Sequence, residues 1–305
     1  MQNFEERNIK KIGFCALKSG SSGNSYLIRT AEASILLDAG MSNKAIKEAI
    51  ERFGMLPEDI DAIFITHEHS DHIKGLRVLM KNTRCNVYMS HGTLNEMERR
   101  GEALQYDRIE EVEDGQVVNI GDIRVECFRL SHDAREPIGY TFTVRDDSGL
   151  KSVKKKVSVV TDTGYVSDTI FENIKDSDIL AIEANHERNI LLAGAYPYPL
   201  KVRILSEVGH LSNDSCADCL VNFMKYRAER AEKENAEDAD GKAANETSEP
   251  SVPTIFLAHL SRENNTPDQA EITIRYTLEE AGFVKDRDYI LHVIAHGEMS
   301  DTVEI

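Results

Sequence analysis

The chain is expected to fold as a layered α/β sandwich, and two features of the sequence carry that expectation. Short apolar runs such as Ile63-Phe64-Ile65 and Thr254-Ile255-Phe256-Leu257-Ala258 alternate with amphipathic stretches, the pattern of sheets covered by helices. Polar residues of metal-ligating type recur where those runs end, most densely in Thr66-His67-Glu68-His69-Ser70-Asp71-His72. Imidazole and carboxylate are the donors that suit a divalent transition metal. Alternation brings His67 and His69 to one side of an extended segment, while Asp71 and His72 follow where the chain turns toward a helix.

The elements follow in order. Lys11–Leu17 alternates apolar and polar residues and reads as a first strand. Next comes Ser19-Gly20-Ser21-Ser22-Gly23-Asn24, a run of small residues that either lets backbone N–H groups approach an anion or makes a tight hairpin turn. Strands at Ser25–Thr30 and Ser34–Asp38 complete a meander. Asp38 could accept a hydrogen bond from a metal-bound imidazole, or cap the helix expected around Lys44–Phe53. Asp61–Thr66 is the strand that delivers the His loop, and a helix is expected from Ile73 to Met80. Asn86–Met89 and Leu94–Arg100 form another strand and helix, with His91 near the helix start.

Strands are then expected at Ile123–Leu130, Ile138–Val144 and Val157–Thr161, tipped by Ser131-His132-Asp133 and Thr161-Asp162-Thr163-Gly164. The lysine-rich Lys151–Lys156 stretch reads as a solvated hairpin face. Asp178–Glu183 is a buried strand ending in Ala184-Asn185-His186-Glu187, and Gly209-His210-Leu211-Ser212-Asn213 precedes an amphipathic helix over Cys216–Arg227. A strand tipped by His259, a helix over Asp268–Ala281 and a strand over Tyr289–Ile294 close the chain.

Composition sets limits. At 305 residues, 41% hydrophobic, with 18 Gly and 7 Pro, the chain buries a sizeable core. We read it as one hydrolase domain, 1–305, carrying a flexible acidic insertion at 229–250. No apolar run approaches membrane-spanning length and the start is polar and acidic, so the expected location is cytoplasmic and away from membranes. Five cysteines argue against a disulfide framework. Cys216-x-x-Cys219 has no second pair and reads as structural. The formal charge of −17 weighs against a phosphate-rich partner. Residues 227–251 hold four cations against eight carboxylates, so −4 of the −17 is local and −13 remains elsewhere.

His67, His69, Asp71, His72, His132, Asp162 and His259 thus form a series at or just beyond buried strands. Seven donors are too many for one tetrahedral zinc but suit two metals that keep open positions. Asp162 leaves its strand at a Gly turn, and a carboxylate can bridge two cations where a neutral imidazole cannot.

This series resembles the metallo-β-lactamase fold family, with its His-x-His-x-Asp-His signature and later His, Asp and His ligands. The resemblance spans nearly the whole chain apart from 229–250. It implies a four-layer αββα sandwich with two divalent metals between the sheets. His67, His69 and His132 would hold the first, Asp71, His72 and His259 the second, with Asp162 bridging. The donor types accept zinc, manganese or iron. Within that superfamily, Ser19–Ser25, Asn185-His186, Gly209–Asn213 and Ala258-His259-Leu260-Ser261 look like the bacterial YycJ (also WalJ or VicX) group. That resemblance implies a metal-dependent 5′-to-3′ exonuclease on single-stranded or end-exposed DNA, distantly similar to ribonuclease Z, using water activated between the metals.

For a phosphodiester, His210 is expected to bind phosphate or act as an acid, with His186 as its companion and Asp71 in the catalytic centre. Both spare histidines could instead be structural. Ser22, Asn24, Ser212 and Asn213 could donate to phosphate, although the last two also make an ordinary helix N-cap. Asn264 and Asn265 are ambiguous in the same way, and His292 and His296 read as structural. Two other functions stay open: a small-molecule metallo-hydrolase for a lactone, thioester or cyclic phosphodiester, and a metal-binding regulatory partner docking through its acidic segment.

Overall fold

The computed structural model describes residues 11–102, 104–146, 153–239 and 252–305. Its strands are β1 (Gly13–Lys18), β2 (Ser25–Arg29), β3 (Ser34–Leu37), β4 (Ala62–Phe64), β5 (Asn86–Met89), β6 (Ile109–Glu111), β7 (Val117–Ile120), β8 (Ile123–Arg129), β9 (Ile138–Asp146), β10 (Val153–Val160), β11 (Ile179–Glu183), β12 (Thr254–Ala258), β13 (Ile290–Val293) and β14 (Val303–Glu304). They form two seven-stranded sheets, ordered β14-β1-β2-β3-β4-β5-β6 and β13-β12-β11-β10-β9-β8-β7. Each sheet is antiparallel on one side and parallel on the other, over β3–β6 in the first and β10–β13 in the second.

The helices are α1 (Asn43–Glu51), α2 (Ser70–Ile73), α3 (Leu76–Asn82), α4 (His91–Arg99), α5 (Asp168–Ile174), α6 (Arg188–Ala193), α7 (Tyr198–Ile204), α8 (Asn213–Ala239) and α9 (Pro267–Glu280). Three buried clusters define four layers. One joins inward faces of both sheets, with Phe14, Tyr26 and Phe64 of the first meeting Tyr140, Phe142 and Phe256 of the second. A second packs Ile46, Ile50 and Leu79 of α1 and α3 on the outer face of the first sheet. A third packs Ile170, Leu220, Phe223 and Ile274 of α5, α8 and α9 on the second. This is the αββα sandwich, held by apolar burial on both faces of both sheets.

Aromatic contacts fix the spacing between the sheets. Phe14 and Phe256 meet at 5.0 Å between centroids, and Phe64 meets Tyr140 edge-on at 5.1 Å. The Tyr140 hydroxyl crosses the interface and donates to the Ile65 carbonyl at 2.8 Å, just before the loop Thr66–His72. One sheet thereby anchors the loop carried by the other.

Several expectations change. The helix expected over Ile73–Met80 is broken into α2 and α3 around Gly75. A Cβ at Gly75 would lie 2.2 Å from the Met41 carbonyl oxygen, so the chain needs glycine there to pack on the Asp38 turn. The lysine stretch is not a solvated hairpin face throughout. Lys154–Lys156 belong to β10, and Lys156 is buried against Asp176 at 2.6 Å, because strand alternation turns it inward beside an available carboxylate. Lys151 lies outside the described residues. The helices α5, α6 and α7 and the strands β6, β7 and β14 have no counterpart among the elements expected from the sequence. Helix α8 runs to Ala239, into the expected insertion, whose residues 240–250 lie outside the described residues.

Replacing Tyr140 by Phe is expected to leave the buried Ile65 carbonyl unpaired at a cost of about 1–3 kcal/mol. Urea unfolding should show a lower midpoint at an unchanged slope; an unaltered midpoint would mean that the bond contributes nothing.

Candidate metal centre

Parallel strands that end at one edge deliver the site, the usual position for a cleft in a sheet of this kind. Asp38 follows β3, the Thr66–His72 loop follows β4, Asp162 follows β10, Glu183 ends β11 and His259 follows β12. Three of these residues, Asp38, Asp162 and His259, hold the left-handed backbone at φ 60°, 59° and 54°. Each costs of order 1 kcal/mol and persists only where the surroundings enforce it.

The Asp38 turn shows how. Its carboxylate is buried and accepts from the Thr66 amide at 2.8 Å, from the Thr66 hydroxyl at 3.0 Å and from His72 Nδ1 at 2.7 Å. The backbone locks beside it: Ala39 N donates to His72 O at 2.8 Å and Asn24 N to Asp71 O at 2.7 Å. A Cβ at Gly40 would sit 1.6 Å from the Asp71 carbonyl oxygen, so only glycine permits this closeness. Ser42, not Asp38, caps α1.

The donor atoms of His67, His69 and His132 lie within 4.8 Å of one another, as do those of Asp71, His72 and His259. Asp162 falls into a group with His67 and His72 and into another with Glu183, His210 and His259. Most imidazoles of these clusters are oriented from behind, His69 excepted, whose Nδ1 faces His67 Nε2 at 3.0 Å. His72 Nδ1 is on Asp38, His132 Nδ1 donates to Gly209 O at 3.0 Å, and His259 Nδ1 donates to Glu183 Oε1 at 2.8 Å. His67 Nδ1 lies 3.0 Å from the Thr66 hydroxyl. Bonds of that kind set the tautomer and leave the inward nitrogen with its lone pair.

The inward atoms are under-satisfied. Asp162 Oδ2 and His259 Nε2 are buried and have no hydrogen-bond partner, although Asp162 Oδ2 lies 3.2 Å from His72 Nε2. Buried polar atoms of this kind are expected to have a partner, and a divalent cation is one that carboxylate oxygen and imidazole nitrogen share. The electrostatics point the same way. Burial disfavours charge at His72, but Asp38, Asp162 and Asp71 outweigh it and raise its proton affinity well above the ordinary value. Burial likewise opposes charge at Asp162, yet His259 and His72 hold it well below the usual carboxylate range. The cleft calls for positive charge, and its donor set fits a metal.

Glu183 is the residue that the sequence reading missed. Its Oε1 accepts from both His210 Nδ1 and His259 Nδ1 at 2.8 Å, and Oε2 accepts from the amides of Thr163 and Leu211 at 3.1 and 3.3 Å. Against the effect of burial, His210 and His259 keep it down to about 2. The available signal was a charged residue closing an otherwise apolar buried strand, Ile179–Ile182. Glu68, inside the signature loop, is buried as well; its Oε1 accepts the Arg135 amide at 2.9 Å and so ties that loop to the segment after His132.

The other candidates divide. His210 reaches the cleft, with Nδ1 on Glu183 and 3.7 Å from Asp162 Oδ1, and its side chain remains 18% exposed. His186 is 1% exposed with both ring nitrogens unpartnered; burial takes it down to about 4, so the ring is neutral. It makes no hydrogen bond to His210. Asn24 lies in the cleft, its Nδ2 3.3 Å from Asp71 Oδ2 and 3.0 Å from His72 Nε2. Ser22 is at the rim, 3.3 Å from His296 Nε2. Ser212 and Asn213 take up the helix start instead. Ser212 Oγ accepts the Ser215 amide at 3.1 Å, and Asn213 is buried in a reciprocal amide pair with Asn265 at 2.8 and 3.1 Å. His91 stands exposed on Glu111 at 2.8 Å, and His292 stacks on Phe256 at 4.8 Å.

Comparison with known proteins agrees with this geometry. The model of the β-lactamase superfamily domain matches residues 33–229. Exodeoxyribonuclease WalJ of Streptococcus pneumoniae is 37% identical over 277 residues, 90% of this chain and 91% of the relative. Exodeoxyribonuclease YycJ of Bacillus anthracis is 36% identical over 281 residues, 92% of this chain and 94% of the relative. Among solved structures, the metallo-β-lactamase fold protein YhfI from Bacillus subtilis superposes with a TM-score of 0.61 at 13% identity, covering 95% of this chain and 99% of the other. Among the described residues, no helix is long and apolar enough to cross a membrane. With its domain model and its full-length relatives in agreement, the chain belongs to the β-lactamase superfamily, in the family of WalJ and YycJ.

Proposed function

We propose that the chain is a dinuclear metal-dependent phosphodiesterase acting on DNA ends as a 5′-to-3′ exonuclease. The observation that carries the reading is Asp162, whose buried carboxylate falls into one donor group with His67 and His72 and another with Glu183, His210 and His259. The named activity of the relatives supports the substrate class. His67, His69 and His132 would hold one metal, and Asp71, His72 and His259 the other, with Asp162 reaching both. Zinc, manganese or iron suits such a set. Bound there, divalent cations supply Lewis-acid stabilisation of the phosphoryl oxygens and acidify water.

The chain's own residues do the rest. His210 commits Nδ1–H to Glu183, so Nε2 is the atom that can hold a proton for the leaving oxygen. Glu183 fixes the ring and favours its charged form. His186, buried, neutral and without a hydrogen bond to His210, has no proton-transfer role in this reading. The five free thiols are all buried, which fits a reducing cytoplasmic setting. The net charge of −17 favours a second reading, a hydrolase of small molecules. A steep loss of activity with added salt would favour the polymer.

Metal-loaded protein should release label at once from 5′-labelled DNA and only late from 3′-labelled DNA; inertness toward both strands and toward bis-p-nitrophenyl phosphate would refute the proposal. His210→Ala should lower kcat on DNA by about 10²–10⁴-fold. It should cost far less on bis-p-nitrophenyl phosphate, whose leaving group needs little protonation. Equal losses would make His210 a positioning residue. Asp38→Ala removes the acceptor that orients His72, and chelator competition should show metal affinity lower by about 10- to 100-fold. Unchanged affinity would mean that His72 is not a ligand oriented by Asp38.

A further inference from the structure

The loop Ser19–Asn24 is bolted to the metal centre at both ends. The His259 amide donates to Ser19 Oγ at 2.8 Å and the Asn24 amide to Asp71 O at 2.7 Å. Internally, Gly20 N donates to Asn24 Oδ1 and Gly23 N to Gly20 O, both at 2.9 Å. The tip, Ser21 and Ser22, is exposed, and among the described residues neither tip amide has an acceptor in the protein.

Two basic side chains, Lys18 and His296, meet at that tip, and Arg262 is near enough to act electrostatically on His296. Lys18 Nζ lies 3.4 Å from Ser22 O. His296, brought in after β13, places Nε2 3.3 Å from Ser22 Oγ, and its buried Nδ1 has no partner. The ring packs over Gly20, where a Cβ would come 3.0 Å from Nδ1 and where φ is +120°. Arg262 follows His259 by three residues and is exposed. Burial lowers the proton affinity of His296, and Arg262, Lys18 and His259 lower it further with no carboxylate opposing them. Elsewhere many basic side chains are spent on acids: Arg99, Arg100 and Arg135 on Glu96, Lys154 and Lys156 on Asp176, Arg203 on Asp133. In a chain of −17, neither Lys18 nor Arg262 is paired with an acid among the described residues, and Lys18 reaches Ser22 O at the rim of the cleft.

We propose that Lys18, Ser22, Arg262 and His296 form a phosphate subsite at the rim of the metal centre, taking the substrate-strand phosphate next to the one cleaved. A guanidinium, an ammonium, a hydroxyl and two unengaged amides are the donors that anionic phosphate oxygens accept from. The proposal deepens the phosphodiesterase reading and rests on it for the strand's direction into the cleft. It would put positive charge at the point where an acidic protein has to hold a polyanion.

The test is fluorescence anisotropy of metal-loaded protein with a labelled phosphorothioate oligothymidylate, which resists cleavage, across a salt series. Lys18→Ala with Arg262→Ala should weaken binding about tenfold and flatten the plot of log affinity against log salt by about 0.7 per cation removed. Lys47→Ala, an exposed lysine of α1 beside Glu51 at 3.8 Å, serves as the control and should leave the slope unchanged. Strands ending in phosphate and in hydroxyl separate the two sources of the anion: an effect confined to the former assigns a terminal phosphate, and an effect on both assigns an internal one. A slope for the double variant no flatter than that of Lys47→Ala overturns the proposal. If the wild type hydrolyses neither DNA nor bis-p-nitrophenyl phosphate while the slope effect persists, the hydrolytic reading falls and the subsite stands.

Discussion

Buried negative charge at the shared edge of two sheets is the constraint on which this structure turns. Asp38, Asp162 and Glu183 are almost wholly removed from water, and Asp71 largely so. An isolated buried carboxylate is too costly to keep ionised. Here imidazoles stand against all four, backbone amides add to Asp38 and Glu183, and Asp38 and Glu183 in turn aim His72, His210 and His259. Removing one member therefore leaves another uncompensated, which couples residues as far apart in the chain as Asp38 and His259.

The scaffold can be understood as the means of holding that network still. Parallel strands end together, so Asp38, Asp162, Glu183 and His259 arrive at one edge without long loops. Apolar packing on both faces of each sheet leaves the strand ends little freedom. Left-handed backbone at Asp38, Asp162 and His259 is then enforced rather than relaxed, and it turns each side chain into the cleft. The close approach at Gly40 and the Tyr140 bond to Ile65 serve the same end from opposite sides.

Much of this was legible in the residues. The strand-tip series His67, His69, Asp71, His72, His132, Asp162 and His259 needed only local pattern and chemistry, and the structure gathers all seven. Most expected strands end within a residue or two of the observed ones, as termini do when hydrogen bonding rather than composition sets them, but β10 starts four residues early, at Val153, within the lysine run. Lys156 was misjudged because a run of lysines has the composition of a solvated face, whereas its burial depends on Asp176, twenty residues later. Ser212 and Asn213 offered two roles with the same atoms, and only their partners, Ser215 and Asn265, decide between them.

The donor types, their order and the layered α/β architecture follow from local periodicity and side-chain chemistry, which a linear chain already carries. Which donors share a neighbour follows from how the strands pack. Glu183 takes on His210 and His259 through strand register, and Ser22 meets His296 across 274 positions of chain. Such pairings arise where independent strands end in space. No window of sequence contains both partners, so neither the carboxylate behind the spare histidine nor the basic rim around the serine loop could be read before the sheets were closed.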